Sequence, residues 1–84
     1  MKHKIEMAPL ADYYVVAVKD IISGELIDSF TLNDSAADML RLFCEDKTPE
    51  MVAREMAQMY EAPVEIVSKD VMAFAERLKQ KGLL

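Results

Sequence analysis

The sequence is poor in the residues from which disulfides, metal sites and phosphate-binding loops are built. Its 84 residues include one cysteine, one histidine and two glycines, and no tryptophan. Cys44 alone cannot close an internal disulfide, and His3, near a chain end where fraying is common, is a poor base for Ser-His or Cys-His catalysis. Gly24 and Gly82 are accounted for by a turn and a helix end, which leaves no glycine-rich loop for a nucleotide. We therefore predict a protein with no enzyme activity, no metal and no other cofactor.

Positive charge and long apolar runs are also scarce. Ten Lys and Arg side chains stand against fifteen Asp and Glu, which gives a formal net charge of −5 at pH 7. A negative field repels phosphate backbones, so nucleic acid is an unfavourable partner. Apolar runs such as residues 13–18 are far shorter than the ~20 residues that cross a bilayer, and the chain does not open like a signal peptide. We expect a cytoplasmic protein that neither spans a membrane nor binds nucleic acid.

What the sequence does contain is the material of one small folded domain. Hydrophobic residues make up 52% of the chain and charged residues 30%, a balance typical of folded soluble domains rather than disordered chains. No internal repeat, low-complexity segment or flexible linker divides it. We predict a single domain over residues 1–84 with one compact core.

The first third of the chain has the two-residue periodicity of β-strands. Residues 6–11 form a strand candidate that contains Pro9, and proline in a sheet is confined to edges, strand starts and bulges. Residues 13–18 are β-branched and aromatic on both alternating faces, as expected for a central strand covered at least in part on each side. Ser23 and Gly24 supply a turn before a third, half-buried strand over residues 26–32.

The third strand is predicted to have one face in the core and one unpaired edge. Its alternation sets Leu26, Asp28, Phe30 and Leu32 against Ile27, Ser29 and Thr31. A meander of three strands in chain order pairs the third strand on one side only. The main-chain groups on its other side are therefore open to an additional strand.

The remainder of the chain has helical periodicity, which begins near Asn33. Asn33 and Thr48 are predicted N-caps, and Pro49 suits the first position of the second helix. The predicted inward stripes are Ala36, Ala37, Leu40, Phe43 and Cys44 on the first helix, Val52, Met56, Met59 and Tyr60 on the second, and Val67, Val71, Phe74 and Leu78 on the third. Gly82 is predicted to end the third helix with Leu83 packed against Leu78 in a Schellman motif.

Three segments of the sequence carry a resemblance to a known family. The junction over residues 31–40 looks like that family's strand-to-helix segment, with Leu32 and Asn33 followed by Ala36. Residues 48–52 are similar to its second-helix opening. Residues 70–84 resemble its closing signature of Asp-Val-x-x-Phe, then Leu, then Gly-Leu-Leu. The chain thus resembles the PqqD-like family, named for coenzyme PQQ synthesis protein D, whose members are leader-peptide recognition elements for ribosomally made peptides (RiPPs).

The resemblance implies a fold and a function. The expected fold is α+β and winged-helix-like, with a three-stranded antiparallel N-terminal sheet followed by three helices. The expected function is to bind the leader of a precursor peptide and present it to a modifying enzyme, often a radical-SAM protein. In such domains the leader adds as a strand to the third strand and sets apolar side chains beside the last helix. By position this implicates Ile27, Ser29, Phe30 and Thr31, together with Asp70, Val71, Phe74, Arg77 and Leu78.

The same residues also admit other interpretations. Val71, Phe74 and Leu78 are also explained if they simply hold the last helix to the sheet. A winged-helix DNA-binding regulator shares the expected fold, although such proteins use a basic recognition helix. A dimerisation or interaction module could use the open strand edge to pair with a second copy, giving a homodimer.

Overall fold

The computed structural model describes residues 3–84, with three strands followed by three helices. The strands are β1 (Lys4–Leu10), β2 (Tyr13–Lys19) and β3 (Leu26–Leu32), and the helices are α1 (Asp34–Cys44), α2 (Pro49–Met59) and α3 (Val64–Gln80). The predicted α+β class is confirmed, and the change from strand to helix falls at Asn33 as the periodicity indicated. Within residues 3–84, no helix is long and apolar enough to cross a membrane.

The sheet is an antiparallel meander with β2 in the centre. The strand order is β1-β2-β3, so β1 and β3 are its two edges. Val16 of β2 lies opposite Met7 of β1 and Phe30 of β3. The pairing of β2 with β3 is irregular at one end, where Val18 pairs with Asp28 and Lys19 with Leu26, so that Ile27 has no partner. An extra residue of this kind is a β-bulge, which bends the strand locally.

The core lies between one face of the sheet and the three helices. Val16, Val18 and Leu32 supply the sheet side, and all three are buried. The helices contribute Ala37, Met39, Leu40, Phe43, Val52, Ala53, Met56, Val71, Phe74, Ala75 and Leu78, and Leu83 follows α3. Val15 and Ala17, on the other face of β2, are half-buried. The expectation that β2 is covered at least in part on each side therefore holds, but the helices cover only one side.

Both predicted N-caps are present. The Asn33 side chain accepts the main-chain N–H of Ala36 at 2.9 Å, and the Thr48 hydroxyl accepts that of Met51 at 3.2 Å. Each cap satisfies an N–H group that has no partner within its helix. The two helices therefore begin where their sequences indicate.

The C-terminal end of α3 is a Schellman motif, as predicted. Gly82 has a φ of +75°, and its N–H donates to the carbonyl of Lys79 at 3.0 Å. The N–H of Leu83 donates to the carbonyl of Leu78 at 2.8 Å, and both leucine side chains are buried. This arrangement fixes the last turn of α3 and the residue beyond it.

Three side chains predicted to face inward are exposed instead. Met59 is 55% exposed, Tyr60 is 46% exposed, and Cys44 is also on the surface. All three stand in the last turn or at the cap of a helix, where the packed neighbours no longer cover the stripe. The Tyr60 hydroxyl donates a hydrogen bond to the Asp38 carboxylate on α1, which holds the ring at the surface.

Candidate functional site

The pairing of β1 with β2 indicates which main-chain groups of β2 face β3. Pro9 of β1 lies opposite Tyr14, and proline has no N–H to donate. In an edge strand, proline is accommodated where the main-chain nitrogen points away from its neighbour. Since main-chain groups alternate in direction along a strand, Tyr14 and Val16 then point toward β3. Their partners Leu32 and Phe30 point back toward β2.

A second observation gives the same alternation for β3 itself. The main-chain N–H of Ser29 donates to the side-chain Oδ1 of Asp28 at 2.8 Å rather than to β2. Both lines of reasoning therefore turn the N–H and C=O of Ser29, and by alternation those of Thr31, toward the open edge. The sequence alone left this direction undetermined.

The four β3 residues implicated by the resemblance occupy different positions at this edge. The side chains of Ile27, Ser29 and Thr31 are exposed, and the Ile27 side chain is 53% exposed. Phe30 is half-buried and packs against the core from the inner face of the sheet. The open edge therefore combines outward main-chain groups at Ser29 and Thr31 with an inward aromatic ring between them.

A cleft lies between the start of α1 and the middle of α3. It has a volume of about 270 Å³ and is lined by Asn33, Ser35, Ala36, Met39, Asp70, Ala73, Phe74 and Arg77. Three residues implicated from the sequence, Asp70, Phe74 and Arg77, therefore come together here. Phe74 and Met39 are largely buried and form part of the apolar floor, while Asp70 and Arg77 are exposed at the rim.

The size and lining of the cleft limit what it can hold. Pockets for small molecules and cofactors usually measure about 300–1,000 Å³. This cleft is smaller, open to solvent, and apolar at its base with polar groups around it. Such a site fits one or two side chains of a peptide better than a cofactor.

Two observations place the cleft close to the β3 edge. Lys81, which caps α3, has its Nζ 3.4 Å from Oδ2 of Asp28 and 4.6 Å from the centre of the Phe30 ring. Asn33, the residue that directly follows β3, is one of the residues that line the cleft. A strand added to β3 would therefore run beside α3 and toward the cleft.

Val71 and Leu78 occupy a different environment from the other implicated residues. Their side chains are 0% and 1% exposed, and both belong to the core. Neither lines the cleft, so the simpler reading of these two positions, that they hold α3 in place, agrees with their burial.

Sequence reasoning missed several residues of this region. Asn33, Ser35, Ala36, Met39 and Ala73 line the cleft, and Asp28 and Lys81 join β3 to α3. One signal was available, because Asp70, Ala73 and Arg77 recur at the three- and four-residue spacing of one helix face. The contact of Asp28 with Lys81 joins residues 53 apart in the chain, and no local pattern reports it.

Two observations concern metal binding and the reactivity of Cys44. Among residues 3–84, no group of three or more His, Cys, Asp or Glu side chains could hold a metal ion. Desolvation by the surrounding protein raises the pKa of the Cys44 thiol, which disfavours the thiolate that a nucleophilic cysteine needs. The absence of enzyme activity stays a prediction from the sequence.

Comparison with known proteins yields a family match. The family model described as coenzyme PQQ synthesis protein D (PqqD) matches residues 21–84, from the turn before β3 to the last residue. The match includes β3 and all three helices. None of the curated proteins compared with the chain matches it.

Two solved structures share the complete fold. TbiB1 in complex with the TbiA(beta) leader peptide has 24% sequence identity and a TM-score of 0.70, with 100% of this chain and 94% of that chain covered. Lasso peptide synthetase B1 complexed with the leader peptide has 26% identity and a TM-score of 0.66, with 98% and 95% covered. In both structures the protein of similar fold was solved with a leader peptide.

Proposed function

The chain belongs to the PqqD family, and we propose from this membership that it binds the leader segment of a ribosomally made precursor peptide. The observation that carries the proposal is the open main-chain edge of β3 beside an apolar-floored cleft of about 270 Å³. The fold is shared over 98% of the chain with a lasso peptide synthetase B1 that was solved with a leader peptide. The proposed role is therefore recognition of a peptide.

The proposed binding mode is addition of the leader as a fourth strand. Ser29 and Thr31 would each exchange main-chain hydrogen bonds with the leader through their outward N–H and C=O groups. Alternate leader side chains would then point to the α3 side of the sheet, because successive side chains of a strand point to opposite faces. Main-chain pairing supplies affinity, while pockets for alternate side chains supply specificity.

The implicated residues then divide into three roles. Ile27, Ser29 and Thr31 form the edge that the leader follows, with Phe30 between them on the inner face. Asp70, Phe74 and Arg77 receive a leader side chain in the cleft, with apolar contact at Phe74 and polar contact at the two charged residues. Val71 and Leu78 act indirectly, since they are buried and hold α3 against the core.

The expected affinity is micromolar or somewhat tighter. Each added main-chain hydrogen bond contributes only ~1 kcal/mol net, and ordering a flexible peptide costs several kcal/mol. Anchored apolar side chains must supply the remainder, and a Kd of 1 μM corresponds to ~8 kcal/mol.

We further propose that the bound leader is presented to a separate modifying enzyme, such as a radical-SAM protein, in the cytoplasm. In this proposal the chain itself performs no chemistry, as its sequence predicts. A DNA-binding role is not favoured, because α3 carries three acidic and three basic side chains rather than a basic face.

Reconstitution of the modification reaction tests the proposal. A candidate precursor peptide and a candidate modifying enzyme are combined with and without the chain, and the modified product is followed by mass spectrometry. We expect modification to depend on the chain and on the leader segment, and the chain with the precursor alone to yield no product. Equal modification without the chain would contradict the proposal. Binding of duplex DNA in the low micromolar range, sensitive to salt, would favour the regulator instead.

A further inference from the structure

Asp28 stands at the middle of the open β3 edge, at a main-chain donor that an added strand would need. Its Oδ1 accepts the Ser29 N–H at 2.8 Å, and its Oδ2 lies 3.4 Å from the Lys81 Nζ. The Lys81 ammonium in turn lies 4.6 Å from the centre of the Phe30 ring. One carboxylate thus joins the edge of β3 to the end of α3.

A peptide strand can use the Ser29 amide only after this carboxylate leaves it. Hydrogen bonds with an ionised acceptor are roughly twice as strong as those between neutral groups. A peptide carbonyl therefore does not displace Asp28 through that one hydrogen bond. The displacement has to be driven by other contacts of the same peptide.

We propose that Asp28 sets the affinity of the leader site by occupying the Ser29 amide in the free protein. This inference rests on the proposed leader-binding function of the β3 edge. When a leader takes the amide, the carboxylate moves onto Lys81, which is already adjacent. The Asp28 and Lys81 side chains are 41% and 34% exposed, so both have room to change rotamer.

The consequence is selection for peptides that engage more than the main chain. Any extended chain offers carbonyl groups, but a leader also places side chains in the cleft over Phe74. Only a peptide whose side chains also bind in the cleft gains enough from those contacts to offset the loss of the Asp28 hydrogen bond. The same carboxylate disfavours edge-to-edge pairing with another copy, since charged side chains commonly protect sheet edges.

Hydrogen exchange of the Ser29 amide tests the contact without any peptide. Asp28→Ala should speed exchange of this amide about tenfold, which is the protection that one charge-assisted hydrogen bond sustains. Asp28→Asn, which keeps an oxygen acceptor but no charge, should give a smaller increase. Glu25→Ala removes the same charge just before β3 and serves as the matched control. An unchanged rate in Asp28→Ala, or an equal increase in Glu25→Ala, overturns the proposal.

Titration with the TbiA(beta) leader peptide tests the effect on affinity. Asp28→Ala should bind this peptide about tenfold more tightly than Glu25→Ala does, by fluorescence anisotropy of a labelled peptide. Equal affinities of the two variants, or weaker binding by Asp28→Ala, overturn the proposal. If the leader binds away from β3, the exchange rates measured in the peptide-free protein do not change. The two experiments together therefore distinguish failure of the proposed leader-binding function from failure of the Asp28 contact.

Discussion

The two edges of the sheet are built differently. The β1 edge contains Pro9, which removes a main-chain donor on the side that faces away from β2. The β3 edge has no proline and keeps its outward donors at Ser29 and Thr31, with a charged side chain over the first of them. Proline closes an edge permanently, whereas a carboxylate covers it reversibly.

The residues around the two edges also differ. The cleft lined by α1 and α3 lies beyond the end of β3, and Lys81 reaches from α3 to β3 itself. At β1, Glu6 is instead paired with Lys19 of the neighbouring strand at 2.6 Å. This difference supports the proposal that a leader strand adds to β3 and not to β1.

The largest effect is expected from proline at two successive positions of β3. Phe30→Pro removes a donor that points to β2 and a ring that packs on the core, so a loss of about 3 kcal/mol or more in unfolding free energy is expected. Ser29→Pro removes an outward donor and should cost far less stability while abolishing leader binding. Denaturant midpoints and peptide titration measure both. The reverse order of stabilities would mean that the strand has the opposite alternation.

Substitutions of two adjacent residues of α3 should have different effects, one on stability and the other on leader binding. Leu78→Ala removes a fully buried side chain and is expected to cost about 2–5 kcal/mol. Arg77→Ala changes an exposed rim residue of the cleft, so unfolding should shift by about 0.5 kcal/mol or less while the leader Kd rises. Lys79→Ala, a cation of the same helix that does not line the cleft, is the control. Equal binding losses in Arg77→Ala and Lys79→Ala would remove the cleft from the site.

Gly82 tests how much the left-handed conformation at the end of α3 contributes to stability. Its φ of +75° is unfavourable for a β-branched residue, so Gly82→Val should destabilise by roughly 1 kcal/mol or more. A Cβ at this position would meet no atom within 4 Å, which leaves the backbone conformation as the cause. Gly82→Asn should cost less, because asparagine tolerates this conformation better. Equal unfolding midpoints of the wild type and Gly82→Val would show that the helix end adapts freely.

The β1 edge itself can be given back its missing donor. Pro9→Thr should leave the leader Kd within about twofold and the unfolding free energy within about 0.5 kcal/mol, since this residue is exposed at an edge. Surface plasmon resonance with immobilised leader provides the measurement. A second binding site of similar affinity in Pro9→Thr would show that the proline was all that distinguished the two edges.

The smallest effect is expected at Tyr60, which does not line the cleft. The hydrogen bond to the Asp38 carboxylate raises the pKa of Tyr60 to about 12. A tyrosine that keeps its proton longer when folded stabilises the protein fully at pH 10 and below, and loses that contribution between pH 10 and 12. Tyr60→Phe should therefore flatten the fall in stability over this window without changing leader binding. An identical fall in both proteins would show that Tyr60 contributes nothing to it.

The sequence predicted β2, β3 and the helix caps better than the burial of side chains in the last turns of α1 and α2, and β1 begins two residues earlier than the predicted strand. β3 occupies residues 26–32 as expected, and its alternation places Phe30 and Leu32 inward, although the bulge at Ile27 leaves Leu26 58% exposed. Met59 and Tyr60 continue the stripe of α2 in sequence, but the stripe is covered only as far as the neighbouring elements reach, and periodicity carries no information about that distance. Val52, Ala53 and Met56, one or two turns earlier, are buried.

The candidate site was predictable in part for a related reason. The open side of β3 follows from the meander, since the third strand must leave one side unpaired. That the main-chain groups of Ser29 and Thr31 face this side does not follow from the sequence, because it depends on the register of the strands. The cleft needed the relative placement of α1 and α3, and the cover on the Ser29 amide needed the rotamer of Asp28 and the position of Lys81. These are contacts between distant segments, so only the folded structure reveals them.

The most direct test of leader binding at β3 is a residue-by-residue map of amide chemical shifts during titration of labelled protein with its leader peptide. We expect the largest changes at Ser29 and Thr31 and around Phe74, with α2 unaffected. The largest changes on α2, with Ser29, Thr31 and the Phe74 region silent, would contradict the proposed site even if the peptide bound tightly.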